Sequence, residues 1–456
     1  MKNVSLETIV SLAKRRGFVF PASEIYGGLA GFWDYGPMGV ELANNIKALW
    51  WRRVVQEQDN IYGVDGAIIQ NPKLWEASGH VAGFTDPLVD CKNCGGRHRA
   101  DHLAGTDSTD LVELTELLKD VACPTCGKKE LTAPRKYNMM MKTWVGPVED
   151  NSSVAYLRPE TAGSIFINYK NVFDSMHPKL PFGIAQIGKA FRNEIAPREF
   201  VFRVRELEQM EMQYFIPSAM QEEVYESWRK FAWDFLVEDL GIRKESISWH
   251  EHEENERAHY AAAAHDIYFN FPQGPKELWG THNRTDFDLK SHMEASGVDL
   301  TYYDEDSKER FLPYVVESSV GVGRMFLAAM SDAYREDDLG GEVRTYLAFA
   351  PKIAPVKAMV SPLLKNKPEL VEKAREVRAA LKKVHPAIAW DDNGNIGKRY
   401  RRQDEIGTPW CVTIDFDTLG ETPELLDTVT VRDRDTGEQK RMSVSEVAQM
   451  LQEALA

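Results

Sequence analysis

The sequence predicts an α+β protein, with a large antiparallel-sheet domain followed by a small α/β domain. Three observations carry that expectation. Gly183 to Glu194 and Val201 to Phe215 both alternate apolar and polar residues with period two, as paired half-buried strands do. After Gly340-Gly341 short apolar runs alternate with helical ones, the pattern of a small α/β layer. Two Cys-x-x-Cys pairs, Cys91/Cys94 and Cys123/Cys126, bracket residues 95–122 and mark a knuckle inserted into the first domain.

A chain of 456 residues with 43% hydrophobic and 27% charged residues has room for two or three domains with substantial cores. Its formal charge of -15 excludes a protein that coats nucleic acid through a general surplus of cations. Any nucleic-acid partner must therefore meet a local basic patch. Apolar runs all fall short of the roughly 18 residues of a spanning helix. The start, Met1-Lys2-Asn3-Val4-Ser5, lacks a signal peptide's apolar core, so the expected setting is the cytoplasm, with no membrane partner. Five cysteines, four of them in two pairs, argue against a disulfide framework. Cys411, inside the apolar run Trp410 to Ile414, reads as a small core residue.

Taken in order, Ser5 to Arg16 reads as an amphipathic helix and Phe18 to Pro21 as an extended piece. The glycine-rich turn Gly27 to Gly39 leads into a helix from about Met38 to Gln58, begun by Pro37, whose missing N–H costs nothing there. A buried stripe is expected through Val40, Ala43, Ile46, Trp50 and Val54, while an edge through Leu49 and Trp51 leaves room for a subunit contact. The two cysteine knuckles can present four thiolates tetrahedrally, as structural Zn²⁺ requires, with a helix from Asp110 to Lys119 between them. Four sulfurs already close such a site, so His98 and His102 are not enlisted. Tyr156 to Gly163 turns into a helix through Tyr169.

Next comes the hairpin. Arg192 and Glu194 share one face of its first strand, and Arg203, Arg205, Gln209 and Glu211 one face of its second. The residues alone leave open a solvated sheet laced with ion pairs or a surface aimed at a charged ligand. Gln221 to Leu240 is helical, Ala258 to His265 a weaker Ala-rich helix, and Glu251 to Glu256 a solvated acidic run. The strand Tyr314 to Glu317 continues through Ser318-Ser319-Val320-Gly321-Val322-Gly323-Arg324 into an apolar helix, Met325 to Met330. Glycines at such a junction let backbone approach a ligand, and Arg324 in the first turn can meet an anion. Gly340-Gly341 is the expected hinge. Beyond it follow a helix (Glu369 to Lys383), a strand (Ala387 to Trp390), a charged helix, a strand (Trp410 to Phe416), a hairpin turning at Asp435-Thr436-Gly437 and a closing helix capped by Ser443.

Phe191-Arg192-Asn193-Glu194 with Phe202-Arg203-Val204-Arg205-Glu206 resembles motif 2 of the class II aminoacyl-tRNA synthetases. Gly321-Val322-Gly323-Arg324 before an apolar helix resembles motif 3, and the helix after Gly36-Pro37 looks like motif 1. More narrowly, Gly36-Pro37-Met38-Gly39, Tyr156-Leu157-Arg158-Pro159-Glu160, Arg205 to Glu211 and Glu317 to Gly321 are similar to the homodimeric glycyl-tRNA synthetase family. The match runs in order from near residue 5 to the C-terminus. One departure is Gly323, where many bacterial relatives carry an acidic residue; the following arginine is in place.

The resemblance implies a class II catalytic domain over residues 1–341, with a zinc-knuckle insertion at 86–135 and a helical insertion at 217–275. An anticodon-binding α/β domain over 342–456 follows. The implied reaction is glycine–tRNA ligation in a homodimer, with glycine, ATP and tRNA(Gly) as substrates, Mg²⁺ on the ATP phosphates and Zn²⁺ as a structural ion on Cys91, Cys94, Cys123 and Cys126. Arg192, Glu194 and Arg324 form the catalytic set: Arg192 for the α-phosphate and the glycine carboxylate, Glu194 for the adenine amino group, Arg324 for the γ-phosphate. Phe202 stacks on the base. Asn193, Arg203, Val204, Arg205, Glu206, Leu207, Glu277, Leu278, Gly321, Val322 and Gly323 complete the ATP site, Glu277 as the Mg²⁺ contact. Around glycine the resemblance sets Arg99, Glu160, Leu207, Glu208, Gln209, Met210, Glu211, Glu317, Ser319 and Gly321. Carboxylates can take the ammonium while bulk rejects larger amino acids, so no editing domain is required. Arg399, Arg401 and Arg402, within Lys398-Arg399-Tyr400-Arg401-Arg402, are the local basic patch for tRNA. A non-catalytic relative, such as the accessory subunit of mitochondrial DNA polymerase, need not keep the phosphate-binding set. Synthetases for histidine, proline, threonine or serine need pockets for larger side chains.

Overall fold

A computed structural model describes residues 4–106, 108–253, 261–339 and 341–456. The first part is built on a seven-stranded sheet: β1 (Ile61–Gly63), β2 (Phe182–Phe191), β3 (Glu206–Ile216), β4 (Ile247–Glu251), β5 (Ala263–Phe271), β6 (Gly274–Thr285) and β7 (Tyr314–Gly321). The spatial order is β4-β5-β6-β7-β3-β2-β1, antiparallel throughout except for β1 on β2. Alternation along β3 does what period two demands. Met210 and Met212 are buried in the main core, whereas Glu211 and Gln213 point to the other face.

Four helices matter for the site: α1 (Pro37–Trp51), α2 (Ala162–Met176), α3 (Gln221–Asp234) and α4 (Val322–Ala333). The main core joins Ile46 and Trp50 of α1, Trp228 of α3 and Met325 to Met330 of α4 to the sheet, and α2 packs Phe166 and Tyr169 on Phe182, Phe215 and Val315. The stripe of α1 runs through Leu42, Ala43, Ile46, Leu49 and Trp50. Val40, expected inside, is 40% exposed because it lies two residues, about 200° around the helix, from Leu42. Leu49 is buried, while Trp51 is half-buried against the core.

Three expectations change. The hairpin strands stop at Phe191 and resume at Glu206, leaving 192–205 as a loop. Buried Phe200, Val201 and Phe202 pull its tip into the core, and Glu199 and Phe200 turn through left-handed backbone (φ 64° and 59°). Arg203 and Arg205 are therefore loop residues and share no strand face with Glu211. Among the described residues of region 217–275, helix is confined to α3, the turn after it and two short 3₁₀ turns, Ser218–Met220 and Lys244–Ser246; β4 and β5 complete the edge of the central sheet. Ala263 to His265, expected as helix, belong to β5 because the strand buries alternate residues between β4 and β6. Residues 254–260, which take in parts of the acidic run and the Ala-rich stretch, lie outside the described residues. The expected hinge is the tip of a hairpin, Tyr334–Asp338 with Val343–Leu347; Gly340 is outside the described residues and Gly341 has φ 86°. Buried Arg344 braces it by bonding Asp337 Oδ1 (2.8 Å) and the Arg434 carbonyl (2.6 Å).

Residues 86–135 form a small unit with its own core of Val89, Ala100, Leu114 and Leu118. The strand Thr85–Asp90 pairs with Arg97–Arg99 and Arg135–Asn138, and the Asp110 carboxylate caps the helix Leu111–Leu117. The C-terminal part is a five-stranded sheet of β8 (Ala358–Pro362), β9 (Ile388–Trp390), β10 (Trp410–Ile414), β11 (Thr428–Asp433) and β12 (Gln439–Ser443), ordered β9-β8-β10-β11-β12. It carries α5 (Pro368–Lys382), α6 (Ile396–Ile406) and α7 (Val444–Leu455), the last begun by a Ser443/Glu446 capping box. Cys411 is buried in it. Among the described residues, no helix is long and apolar enough to cross a membrane.

Candidate active site

Strand register assembles the site. Cross-strand partners share a face, so Gln213, Glu317 and His282 form one row across β3, β7 and β6, and Glu211, Ser319 and Gly280 the next. A third row sets Gln209 beside Gly321. From these rows Glu317, His282, Glu211, Ser319, Gln209 and Gly321 line a cavity of about 370 Å³, completed by the 192–205 loop and the start of α4. Glu317 and Gly321, four residues apart on β7, span about 13 Å of it.

Toward the Glu317 side the lining is acidic but heavily bonded. Glu317 accepts from Gln213 Nε2 (2.7 Å), Arg284 Nη1 (3.0 Å) and His282 Nδ1 (3.0 Å). Gln213 Nε2 also reaches Glu211 Oε1 at 2.9 Å, and Thr161 donates to the other Glu211 oxygen. His80 Nε2 lies 3.4 Å from Glu160. Burial opposes charge on all three glutamates, yet they part company. Burial together with Glu317 and Glu160 pushes the Glu211 carboxyl well above the ordinary range. Glu317 overcomes its burial through Arg284 and His282 and is held far below that range, and Glu160 is lowered by His80. This end of the cavity thus holds unsatisfied demand for a cation, concentrated on Glu211 and shared with the nearby Glu160.

Near Gly321 the lining carries three arginines. Arg192 Nε is tied to the Pro159 carbonyl at 3.0 Å and its guanidinium sits 5.6 Å from the Phe84 ring. Its terminal nitrogens have no protein partner among the described residues. Arg203 lines the same wall, and no hydrogen bond or ion pair of its guanidinium is present among the described residues. Glu194 is buried with Oε2 unpaired, so it can accept from a ligand donor. Arg324, in the first turn of α4, bonds Glu277 (2.9 Å) and lies 4.6 Å over the Phe202 ring. A base stacked between those two groups needs about 7 Å, from two contacts of 3.5 Å. A Cβ at Gly323 would come within 2.7 Å of the Val201 carbonyl oxygen, so the 192–205 loop backbone as it stands here fits glycine at 323 and would have to shift for a larger residue.

Arg192, Glu194, Phe202, Arg203, Val204, Glu206, Leu207, Glu277, Gly321, Gly323 and Arg324 meet at the cavity, together with Glu160, Glu208, Gln209, Glu211, Glu317 and Ser319. Other expected side chains do not. Met210, Leu278 and Val322 are in the core because strand and helix periodicity turns them away from the cavity. Arg205 clamps the loop neck, donating to the Glu194 carbonyl (3.0 and 2.8 Å) and the Ala30 carbonyl (2.9 Å). Asn193 is anchored by its backbone N–H to the Met139 carbonyl at 2.8 Å and lies off the lining. Arg99 is consumed by Asp86 (2.7 Å) and Asp101. Sequence reading passed over His282 and Arg284, two residues apart on β6, both of which line the cavity. Trp33, Asp34 and Tyr35 also line it, and no local pattern announced them.

The four sulfurs of Cys91, Cys94, Cys123 and Cys126 lie within 4.8 Å of one another. On the C-terminal part, Arg399 is 1% exposed and donates to Ser361 Oγ (2.7 Å) and the Gly394 carbonyl (2.7 Å), so it leaves the basic patch. Helical phase turns it inward with Gln403, one turn on. Arg401 and Arg402 are partly exposed, paired with Glu342 (2.8 Å) and Asp391 (2.8 Å).

Two family matches agree with this geometry: tRNA synthetase class II core domain (G, H, P, S and T) over residues 144–333, and anticodon binding domain over residues 357–454. Curated relatives are similar along their whole length. Glycine–tRNA ligase of Caldanaerobacter subterraneus subsp. tengcongensis is 50% identical over 465 residues, covering 99% of each chain. That of Lysinibacillus sphaericus is 50% identical over 469 residues, covering 100% of each. That of Treponema denticola is 51% identical over 450 residues, covering 97% of this chain and 96% of its own.

Proposed function

The chain belongs to the glycine–tRNA ligase family of class II synthetases, and from that premise we propose how its cavity divides the work of the reaction. The enzyme joins glycine to tRNA(Gly) in two steps. Glycine's carboxylate attacks the α-phosphorus of ATP and displaces pyrophosphate; the 3′-terminal ribose hydroxyl of the tRNA then attacks the glycyl carbonyl and displaces AMP. The supporting observation is the polarity of one cavity: cation-seeking carboxylates toward Glu317, and arginines with spare donors toward Gly321. Pyrophosphate exchange into ATP, tested with each of the twenty amino acids, is expected to respond to glycine alone; a response to none defeats this reading.

Arg192 takes the α-phosphate and the glycine carboxylate with its two spare nitrogens. Phe202 stacks on adenine and Glu194 Oε2 accepts from its amino group. Because 4.6 Å between Arg324 and Phe202 leaves no room for a base, bound adenine requires Arg324 to leave Phe202 or the base to use the ring's other face. Arg324 then serves the γ-phosphate, and Glu277, released from it, is the carboxylate that fits Mg²⁺. The ion supplies charge neutralisation at the phosphates.

Glu211 and Glu160, with Glu317 behind, receive the ammonium of glycine. Burial and its acidic neighbours push the Glu211 carboxyl up, and an arriving ammonium favours its charged form, so glycine binding should release a proton. Calorimetric titration near pH 7 should then be more exothermic in Tris, whose protonation gives out more heat, than in phosphate. Equal heats in both buffers count against the assignment of Glu211.

The four-cysteine cluster holds Zn²⁺: all donors are sulfur, and the pairs Cys91/Cys126 and Cys94/Cys123 lie 3.6 and 3.7 Å apart. Zn–S bonds of about 2.3 Å in a tetrahedron set sulfurs about 3.8 Å apart. The enzyme works as a cytoplasmic homodimer, and exposed Ile25, Tyr26, Leu29 and Val40, on and before α1, support an apolar subunit contact. Arg401 and Arg402 face tRNA. Their joint reversal to glutamate should weaken tRNA binding and flatten its log–log salt slope by about one to two units; an unchanged slope makes them ion-pair partners of Glu342 and Asp391 and nothing more.

A further inference from the structure

We propose that His282 is a positioning residue of the amino-acid site, a fixed imidazolium that orients Glu317 toward the ammonium of glycine; this rests on reading the acidic end of the cavity as the glycine site. His282 stands on β6 directly opposite Glu317 on β7. Its Nδ1 is 3.0 Å from Glu317 Oε1 and its Nε2 is 3.4 Å from Asp266 Oδ1. A carboxylate offers only acceptors, so a ring that meets one at each nitrogen donates from both and carries a charge. Asp266 is itself buried, and its second oxygen meets His252 Nε2 at 2.7 Å. A linear array Glu317–His282–Asp266–His252 therefore leads from the cavity to the segment that follows β4.

Packing around the ring agrees. A Cβ on Gly280 would lie 3.1 Å from the His282 ring and 3.2 Å from Asp266 Oδ1, so the bare backbone at 280 makes room for both. Among the described residues, the titratable groups facing His282 are Asp266 from β5, Glu317 from β7 and His252, whose ring is 6.3 Å away; Arg284 of its own strand reaches the same Glu317. Burial opposes charge on the imidazole, but its bonds to Asp266 and Glu317 outweigh that and raise it to about 10. The ring therefore stays charged across the neutral range.

His282 supplies the bond to Glu317 Oε1, while Oε2 is held by Arg284 and Gln213. Gln213 in turn holds Glu211. Removing the imidazolium frees one oxygen of Glu317 to rotate and lets its uncompensated charge push the Glu211 carboxyl further toward its neutral form, which grips an ammonium less well. Both effects disturb the place where the ammonium is gripped and leave the phosphate end untouched.

The experiment is pyrophosphate exchange with His282→Gln, which keeps an amide donor but no charge. The KM for glycine should rise about ten- to hundredfold, the KM for ATP should stay within about twofold, and kcat should change less than the glycine KM. Nitrogen NMR of wild-type enzyme with ¹⁵N-labelled histidine should show a His282 ring protonated at both nitrogens at pH 8. Asp266→Asn should bring its titration down into the accessible range. A glycine KM in His282→Gln within about twofold of wild type, or a neutral His282 ring at pH 7.5 in the wild type, overturns the proposal. Glu211→Gln separates the two readings: if it too leaves the glycine KM unchanged, the glycine site itself has been misassigned, whereas a raised KM there with none in His282→Gln removes only His282.

Discussion

Replacing Arg192 with alanine is expected to slow glycine-dependent pyrophosphate exchange by about 10²- to 10³-fold, or about 3 to 4 kcal/mol. The side chain is aimed before substrate arrives, because the Pro159 carbonyl holds Nε and Phe84 flanks the guanidinium. Its remaining donors thus stabilise charge developing on the α-phosphate without first reorganising. Stability should fall far less, since the folded protein loses one hydrogen bond to a carbonyl, worth about 1 kcal/mol. Lysine at 192 keeps the charge but not the planar fork, so Arg192→Lys should be only a partial rescue. Near-normal exchange in Arg192→Ala with unchanged thermal unfolding would refute the role.

The second large effect is expected from metal removal. Freshly purified protein should contain zinc equimolar with chain, and stripping it should unfold residues 86–135 while the C-terminal sheet persists. Structural zinc in small peptides binds with about 10 to 16 kcal/mol of apparent free energy near neutral pH. The insertion's own core is the small cluster of Val89, Ala100, Leu114 and Leu118, with no contribution from the main core. The damage should reach the active site. Arg198 of the motif 2 loop meets His102 of the insertion at 3.1 Å, and Arg99 pins Asp86 at 2.7 Å behind Glu194 and Arg203. Losing those braces frees the 192–205 loop and should raise the KM for ATP. Metal content by mass spectrometry and hydrogen exchange over 86–135 after chelation test this; absence of zinc, or unaltered exchange after chelation, would sink it.

Where the sequence was legible, the signal was local. Period two in β3 separated buried Met210 and Met212 from Glu211 and Gln213. Pro37 opening α1, Ser443 before α7 and the Asp435-Thr436-Gly437 turn announced themselves by chemistry that acts within a few residues. Two-strand reading failed at 192–205, since alternation continues into the loop while Phe200 to Phe202 are drawn into a core assembled from distant segments. It failed again at β4 and β5, whose place at the sheet edge depends on pairing with β6. Arg399 and Arg402 look alike in a basic run; three residues of helical rotation and the carbonyls of Pro362, Asp392 and Gly394 decide that one is core and the other surface.

The sequence by itself determined the chemistry: which arginines, glutamates and cysteines are available, on which strands and turns, and in which order along the chain. Tertiary structure alone decided how that chemistry is shared out. Glu160, Glu211 and Glu317 are equal as residue types, and only the register of β3, β6 and β7 gives Glu317 two cations and leaves Glu211 in need of one. A charge takes its energy from what lies within a few ångströms, and those neighbours are set by strand pairing and burial across long stretches of chain.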